Sequence, residues 1–153
     1  MHLIALAMFV AQTLFGGLPI DGIQCERTEG AVEHIHASLQ IYDRGHQIAV
    51  PAQVGFPQNA ECLYWLHTHS DSGVIHIEAP VKRAFTLGEF FDVWGQPLDR
   101  TQAASVHGRL SFWVNGKPYT RDPRAIVLKD TESIVIQNGP PFVKPKKPNF
   151  ATL

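Results

Sequence analysis

The chain reads HIHASLQIY from His34 to Tyr42, and apolar and polar side chains alternate along the whole stretch. Successive side chains of a β-strand point to opposite faces, so the isoleucines, alanine and leucine share one face and the histidines, serine and glutamine share the other. This pattern predicts a strand that buries one face only. Such a strand needs a sheet and a core to pack against, which favours a β-rich fold.

A second alternating region flanks the turn sequence SDSG at residues 70–73. The residues from Leu63 to His69 predict one strand, and those from Val74 to Glu78 predict the next. If the four turn residues form a hairpin loop, His67 lies opposite His76.

One strong helix is predicted. Thr86 and Glu89 have the spacing of a capping box, in which each side chain bonds the free backbone amide of the other. Apolar residues at helical spacing follow as far as Trp94, and Gly95 provides a C-terminal stop.

Shorter strand patterns complete the predicted fold. They lie at residues 46–50, 109–114, 117–119, 125–128 and 133–137. Together these segments predict a β-rich α+β fold: a single compact antiparallel β domain, sandwich or barrel-like, over residues 21–139 with one main helix. The Pro- and Lys-rich tail at residues 140–153 is predicted to be extended and exposed.

Composition excludes several classes of protein. The chain has 153 residues, 44% of them hydrophobic and 18% charged, which fits one packed domain and excludes a wholly disordered chain. The net charge of -1 offers no field that would attract nucleic acid, so we expect no nucleic-acid partner. Nothing in the sequence indicates a protein partner.

The N-terminal stretch indicates where the protein resides. Residues 1–20 contain an apolar run of the length of a secretory signal, which predicts a signal peptide or an N-terminal membrane anchor. A buried helix of a cytosolic domain is the alternative. The leader predicts an extracytoplasmic protein that is secreted, periplasmic or membrane-anchored, in which Cys25 and Cys62 form a disulfide. In the cytosol both cysteines would be small buried hydrophobes.

The histidines predict a metal site. Two His-x-His pairs and a further histidine occupy the predicted strands, and in a strand residues two apart share a face. Neutral imidazole binds copper, zinc, nickel and iron. The pattern predicts one divalent transition ion, copper or zinc before iron or nickel, held by the three hairpin histidines together with one of the pair in the first strand. The five predicted ligands are His34, His36, His67, His69 and His76.

Three functions remain open at this point. The first is an extracytoplasmic metal-binding protein, and the second is a mononuclear metalloenzyme, an oxidoreductase or hydrolase, with Glu78 as acid/base. The third is a secreted interaction module without metal. Glu78 could equally be a ligand or an ion-pair partner, whereas His46 and His107 lack neighbouring histidines and are predicted to be surface or turn residues.

Five strings between Asp21 and Gly95 carry a resemblance. They are DGIQC, HIHAxL, CLYWLHTH, SGVIHIE and FTLGxFFDxWG, with Ser38 at the variable position of the second string. This pattern resembles a group of small exported proteins, mainly bacterial, with no known activity. The resemblance implies a shared fold and a shared histidine site, and it implies no particular reaction.

Overall fold

The computed structural model describes residues 17–151. The predicted leader spans residues 1–20, and its residues 1–16 lie outside the described part of the chain. Within the described part, no helix is both long and apolar enough to cross a membrane.

The strands and helices follow one another in short segments. In chain order they are β1 Cys25–Glu26, β2 Glu33–Asp43, β3 His46–Ile48, β4 Leu63–Tyr64, β5 Leu66–His67, β6 Val74–Ala79, α1 Leu87–Trp94, β7 Gln102–Ala103, β8 Val106–His107, β9 Leu110–Val114, β10 Lys117–Tyr119, a 3-10 helix Pro123–Ala125, and β11 Glu132–Asn138.

A seven-stranded sheet forms the main body of the protein. Its order is β10-β9-β11-β2-β6-β5, with β3 also paired to β2, and it does not close into a barrel. The predicted β-rich α+β class is confirmed. The sheet is mixed rather than purely antiparallel, because the two central strands β2 and β11 run parallel. These strands are far apart in the chain, so no local turn fixes their relative direction.

The core lies between one face of the sheet and helix α1. Leu39, Ile75 and Ile134 from the sheet and Phe90 and Phe91 from the helix are at most 1% exposed. The predicted capping box of α1 is confirmed, with both of its backbone-to-side-chain hydrogen bonds present. We call the opposite side of the sheet the outer face.

Two predicted strands are wrong in detail. The stretch from Leu63 to His69 contains two separate strands, because β4 pairs with β1 whereas β5 pairs with β6. The predicted strand at residues 125–128 is absent. Its first residue belongs to a 3-10 helix, Pro123–Ala125, which the Asp122 side chain caps, and residues 126–128 form only an isolated bridge between Val127 and Thr86.

The predicted disulfide between Cys25 and Cys62 is present. It joins β1 to the residue that precedes β4, and these two strands pair directly. The disulfide therefore anchors the chain segment that leads into β2.

The C-terminal tail lies along the outer face. Gln40 exchanges two hydrogen bonds with the backbone of Lys146, of 2.8 and 3.0 Å, and Gln137 exchanges two of 2.9 Å with the backbone of Val143. The tail is extended, as expected, but it is hydrogen-bonded to the sheet rather than free in solvent. The tail covers the end of the outer face that carries Gln40 and Gln137, and the histidines lie at the other end.

Candidate metal centre

Three neighbouring strands bring the candidate ligands into rows. Strand β2 lies beside β6, and β6 lies beside β5. The register sets His36 opposite His76 and His76 opposite His67, and the second of these pairs confirms the predicted hairpin register. The next row sets His34 opposite Glu78. Since residues two apart along a strand share a face, all these side chains lie on the outer face.

A backbone carbonyl orients the buried ring of His67. The residue is 0% exposed, and its Nδ1 lies 2.9 Å from the Tyr64 carbonyl oxygen. A carbonyl oxygen can only accept, so Nδ1 carries the proton of the neutral ring and Nε2 keeps its lone pair. That Nε2 is buried and makes no hydrogen bond. His67 thus has the tautomer and orientation of a metal ligand that binds through Nε2.

Glu78 lies among the imidazoles and is 4% exposed. Its Oε1 lies 3.2 Å from Nε2 of His34, 3.3 Å from Nδ1 of His76 and 3.9 Å from Nε2 of His36. Its Oε2 lies 3.6 Å from Nε2 of His67 and makes no hydrogen bond. The two carboxylate oxygens therefore face different groups of histidines.

Glu29 joins the cluster from the segment between β1 and β2. Its Oε1 lies 3.4 Å from Nε2 of His69 and 3.9 Å from Nε2 of His67. The sequence did not predict a role for this residue, because Glu29 stands outside every alternating pattern. Only the tertiary fold brings it over the hairpin.

Close backbone contact holds the segment that carries Glu29. The amide of Gly30 donates to the Glu78 carbonyl at 3.3 Å, and the amide of Val32 donates to the Ala79 carbonyl at 3.1 Å. A Cβ atom at Gly30 would lie 2.2 Å from the Ala79 carbonyl carbon, so only glycine permits this approach. Gly30, which follows Glu29, is the one feature of the local sequence that indicates this close approach to β6.

An aromatic ring covers the other side of the hairpin histidines. The centroid of Phe56 lies 5.4 Å from that of His67 and 5.7 Å from that of His69. The loop that carries Phe56 is held by Thr68, whose hydroxyl donates to the Pro51 carbonyl at 2.7 Å. The Phe56 ring thus shields the two imidazoles from solvent on one side.

Burial keeps the imidazoles of His36, His67 and His76 neutral. It lowers the pKa of His67 to about 4, against the opposing effect of the carbonyl bond, and lowers the pKa of His76 to about 3, where the neighbouring imidazoles act in the same direction. The pKa of His36 is also lowered, first by burial. Burial and then the charge of Glu29 raise the pKa of Glu78 to about 7. A divalent ion would thus meet imidazoles that need not lose a proton.

Three sets of donor atoms are compact enough for one ion, since in each set the ligand atoms lie within 4.8 Å of one another. We call His67, His69 and His76 the inner triad, and His34, His36 and Glu78 the outer triad; the third set is Glu29, His67 and Glu78. The prediction that His34 or His36 completes the site of the hairpin histidines stays a prediction. Both residues form a compact set with Glu78, and the His36 ring also lies 4.6 Å from that of His76.

The two remaining histidines of the described chain lie apart from these sets. The Nε2 of His107 is 3.2 Å from the side-chain nitrogen of Gln102, and His46 is an exposed residue opposite Asp43. Asp71 is an exposed turn residue and belongs to none of the three sets. These residues supply control positions for experiments on the cluster.

Comparison of the chain with protein-family models, curated proteins and solved structures finds no match. The resemblance to the group of small exported proteins therefore stays a prediction. The function has to be argued from the cluster itself.

Proposed function

We propose that this protein binds a divalent transition ion at the inner triad, with a carboxylate as a further ligand. The observation that carries the proposal is the pair of unpartnered atoms at the centre of the cluster. Nε2 of His67 and Oε2 of Glu78 are both buried, both lack a hydrogen bond, and lie 3.6 Å apart.

An ion between these atoms would give both of them a partner and so remove a destabilising contribution to the free energy of folding. A buried polar atom without a partner destabilises a fold by about 1–3 kcal/mol. Ligand atoms about 2.0–2.2 Å from a tetrahedral ion lie roughly 3.3–3.6 Å from one another. The separation of 3.6 Å between His67 and Glu78 is close to that value.

The donor set favours zinc or copper(II) over other ions. Imidazoles with one or two carboxylates suit zinc, copper, nickel and iron, and copper(II) forms the most stable complexes with such sites. The two cysteines are joined in a disulfide, so neither offers the thiolate that would favour copper(I). Zinc and copper(II) are therefore the ions to test first.

We assign Glu78 the role of a ligand rather than that of an acid/base. Its Oε1 is within 3.9 Å of three imidazoles, and the residue is almost wholly buried. A general acid/base must reach a proton on the substrate, and the surrounding rings occupy the space around this carboxylate. The proposed activity is accordingly to capture or carry the ion.

The disulfide supports an extracytoplasmic location. Disulfides persist in secreted and periplasmic proteins and are rare in the cytosol. The pair Cys25–Cys62 fits that setting, and the predicted leader would provide export. We propose that the ion is bound outside the cytoplasm.

Calorimetric titration with Cu²⁺ and Zn²⁺ tests the proposal. We expect tight binding by the wild type and at least a tenfold weaker affinity in His67→Ala and in His69→Ala, because each variant removes one inner ligand. His107→Ala should bind as the wild type does. Elemental analysis of protein purified without added metal would identify the resident ion.

The His69→Ala variant is needed because removal of the buried His67 ring can weaken binding by disturbing the fold, whereas His69 is half-exposed. Circular dichroism spectra and unfolding temperatures of both variants show whether each remains folded. If the wild type binds neither ion more tightly than His69→Ala, the histidines are only the polar face of a sheet. The interaction module would then be the better hypothesis.

A further inference from the structure

We propose that the cluster holds a second divalent ion at the outer triad, and that Glu78 bridges the two ions. This inference rests on the proposed function, because it assumes an ion at the inner triad. It adds a second metal position, which the sequence did not predict.

The number of donors is the first argument. Oε2 of Glu78 can complete a four-coordinate ion at the inner triad, and Glu29, 3.4 Å from His69 and 3.9 Å from His67, is a further donor there. His34 and His36 remain, and they form a compact set with Glu78, whose Oε1 faces both of them. The inner and outer triads share no residue. The five histidines and two glutamates of the cluster can thus supply ligands for two ions.

The orientation of Glu78 is the second argument. Its Oε1 faces His34 at 3.2 Å and His36 at 3.9 Å, whereas its Oε2 faces His67 at 3.6 Å. Oε1 also lies 3.3 Å from Nδ1 of His76, which leaves Nε2 of that ring for the inner ion. A carboxylate that offers one oxygen to each of two ligand groups has the arrangement of a bridge between two ions. Sites with two metals hold their ions about 3.5–4 Å apart, which is a distance one carboxylate can span.

Exposure and charge indicate the order of binding. The inner triad contains the most rigidly held ring, because His67 is 0% exposed and the Tyr64 carbonyl orients it, whereas the two imidazoles of the outer triad are 16% and 58% exposed. The carboxylates of Glu29 and Glu78 offset two of the four positive charges of two ions. The second ion therefore meets more repulsion and less pre-organisation, and we expect it to bind at least tenfold more weakly than the first.

Titration with Cu²⁺ followed by electron paramagnetic resonance tests the inference. The first equivalent should give the spectrum of an isolated copper(II) ion. The second equivalent should broaden or diminish that signal through spin coupling, because a carboxylate joins the two ions. Calorimetry of the same protein should show two ions per chain in two steps.

The double variant His34→Ala, His36→Ala removes two ligands of the outer triad and leaves the inner triad complete. We expect it to bind one ion, with an affinity within about threefold of the first step of the wild type and with the spectrum of isolated copper. The matched control His46→Ala, His107→Ala should bind two ions. Because His34 is largely exposed, the double variant should fold normally, which its unfolding temperature checks.

Two results would overturn the inference and leave the proposed function intact. The first is saturation of the wild type at one ion per chain. The second is a double variant that still binds two coupled ions. Absence of any tight binding by the wild type would overturn the proposed function and this inference together.

Discussion

Beside His67, a single glycine determines how closely the neighbouring loop approaches the site. Gly55 has φ +83°, a conformation that side chains other than glycine rarely adopt. A Cβ atom there would lie 2.6 Å from the Leu66 carbonyl oxygen and 2.9 Å from the Cβ of His67. The same loop carries Phe56, which packs on the His67 ring. Gly55 is therefore a packing requirement of the candidate metal centre.

We expect Gly55→Ala to destabilise the protein by about 2–4 kcal/mol, from backbone strain together with the clash against β5. It should also weaken binding of Zn²⁺, because the loop can relieve the clash only by moving away from His67. Chemical denaturation and calorimetric titration measure the two effects.

Gly116→Ala provides the matched control for this substitution. Gly116 has φ +75°, and a Cβ atom there meets nothing within 4 Å. The control should lose about 1 kcal/mol from strain alone and should bind Zn²⁺ normally. Equal effects of the two substitutions would mean that the contact with His67 does not position the ligand.

Among the elements, the segment from β1 to β2 brings Glu29 to the candidate metal centre. It is fixed at one end by the disulfide of Cys25 and at the other by β2, and its middle is hydrogen-bonded to β6 through Gly30. Glu29 is held over the hairpin by these attachments. The disulfide thus contributes both to the stability of the fold and to the position of Glu29.

The double variant Cys25→Ser, Cys62→Ser should lower the free energy of unfolding by about 3–4 kcal/mol, as expected for a closed loop of 37 residues. It should also weaken binding of Zn²⁺, because the segment that carries Glu29 loses one anchor. Denaturation and calorimetry provide the two values, and titration of thiols in denatured wild-type protein should find none free.

A thermodynamic cycle separates the two contributions of the disulfide. If the disulfide acts on the metal through Glu29, adding Glu29→Ala to the double variant should weaken binding less than Glu29→Ala does in the wild type. Additive losses of affinity would show that the disulfide and Glu29 act independently.

For the whole molecule, the cluster determines how stability responds to pH. The pKa values of His36, His67 and His76 are lowered in the fold, so these rings stay neutral where the unfolded chain would bind protons. Unfolding then takes up protons below about pH 6.5, which lowers stability as the pH falls. Glu78 acts in the opposite direction between its ordinary pKa of 4.5 and about 7. Two carboxyl groups outside the cluster also have raised pKa values and act in the same direction as Glu78: Asp21 and Glu132. The two large downward shifts, of His67 and His76, outweigh the one large upward shift of Glu78, so the imidazoles determine the sign.

We therefore expect the metal-free protein to lose a few kcal/mol of stability between pH 6.5 and 4.5. Urea denaturation in the presence of a chelator measures this dependence. The variant His76→Gln should show a shallower slope, because it removes one of the lowered pKa values, whereas His46→Gln should keep the slope of the wild type. A stability that stays constant or rises on acidification would contradict the proposed role of the buried rings.

The elements that depend on local patterns were predictable from the sequence. The alternation from His34 to Tyr42 fixes which side chains share a face, because the side-chain period of a strand is two residues. The turn at residues 70–73 fixes the pairing of His67 with His76, and the capping box fixes the start of α1. Each of these features is decided within a few residues of the chain.

The remaining features depend on contacts between distant parts of the chain. The parallel pairing of β2 with β11 and the hydrogen bonds that hold the tail join segments about a hundred residues apart. Glu29 meets His67 only after β1 is tied to β4, whereas Glu78 shares the face of His76 and was predictable from the hairpin. The sequence by itself determined that the histidines and Glu78 share one face of a sheet. The tertiary structure decided that β2 lies beside β6 and that Glu29 joins the cluster, because these features depend on the order of strands in the sheet and on the path of a loop, which no local pattern encodes.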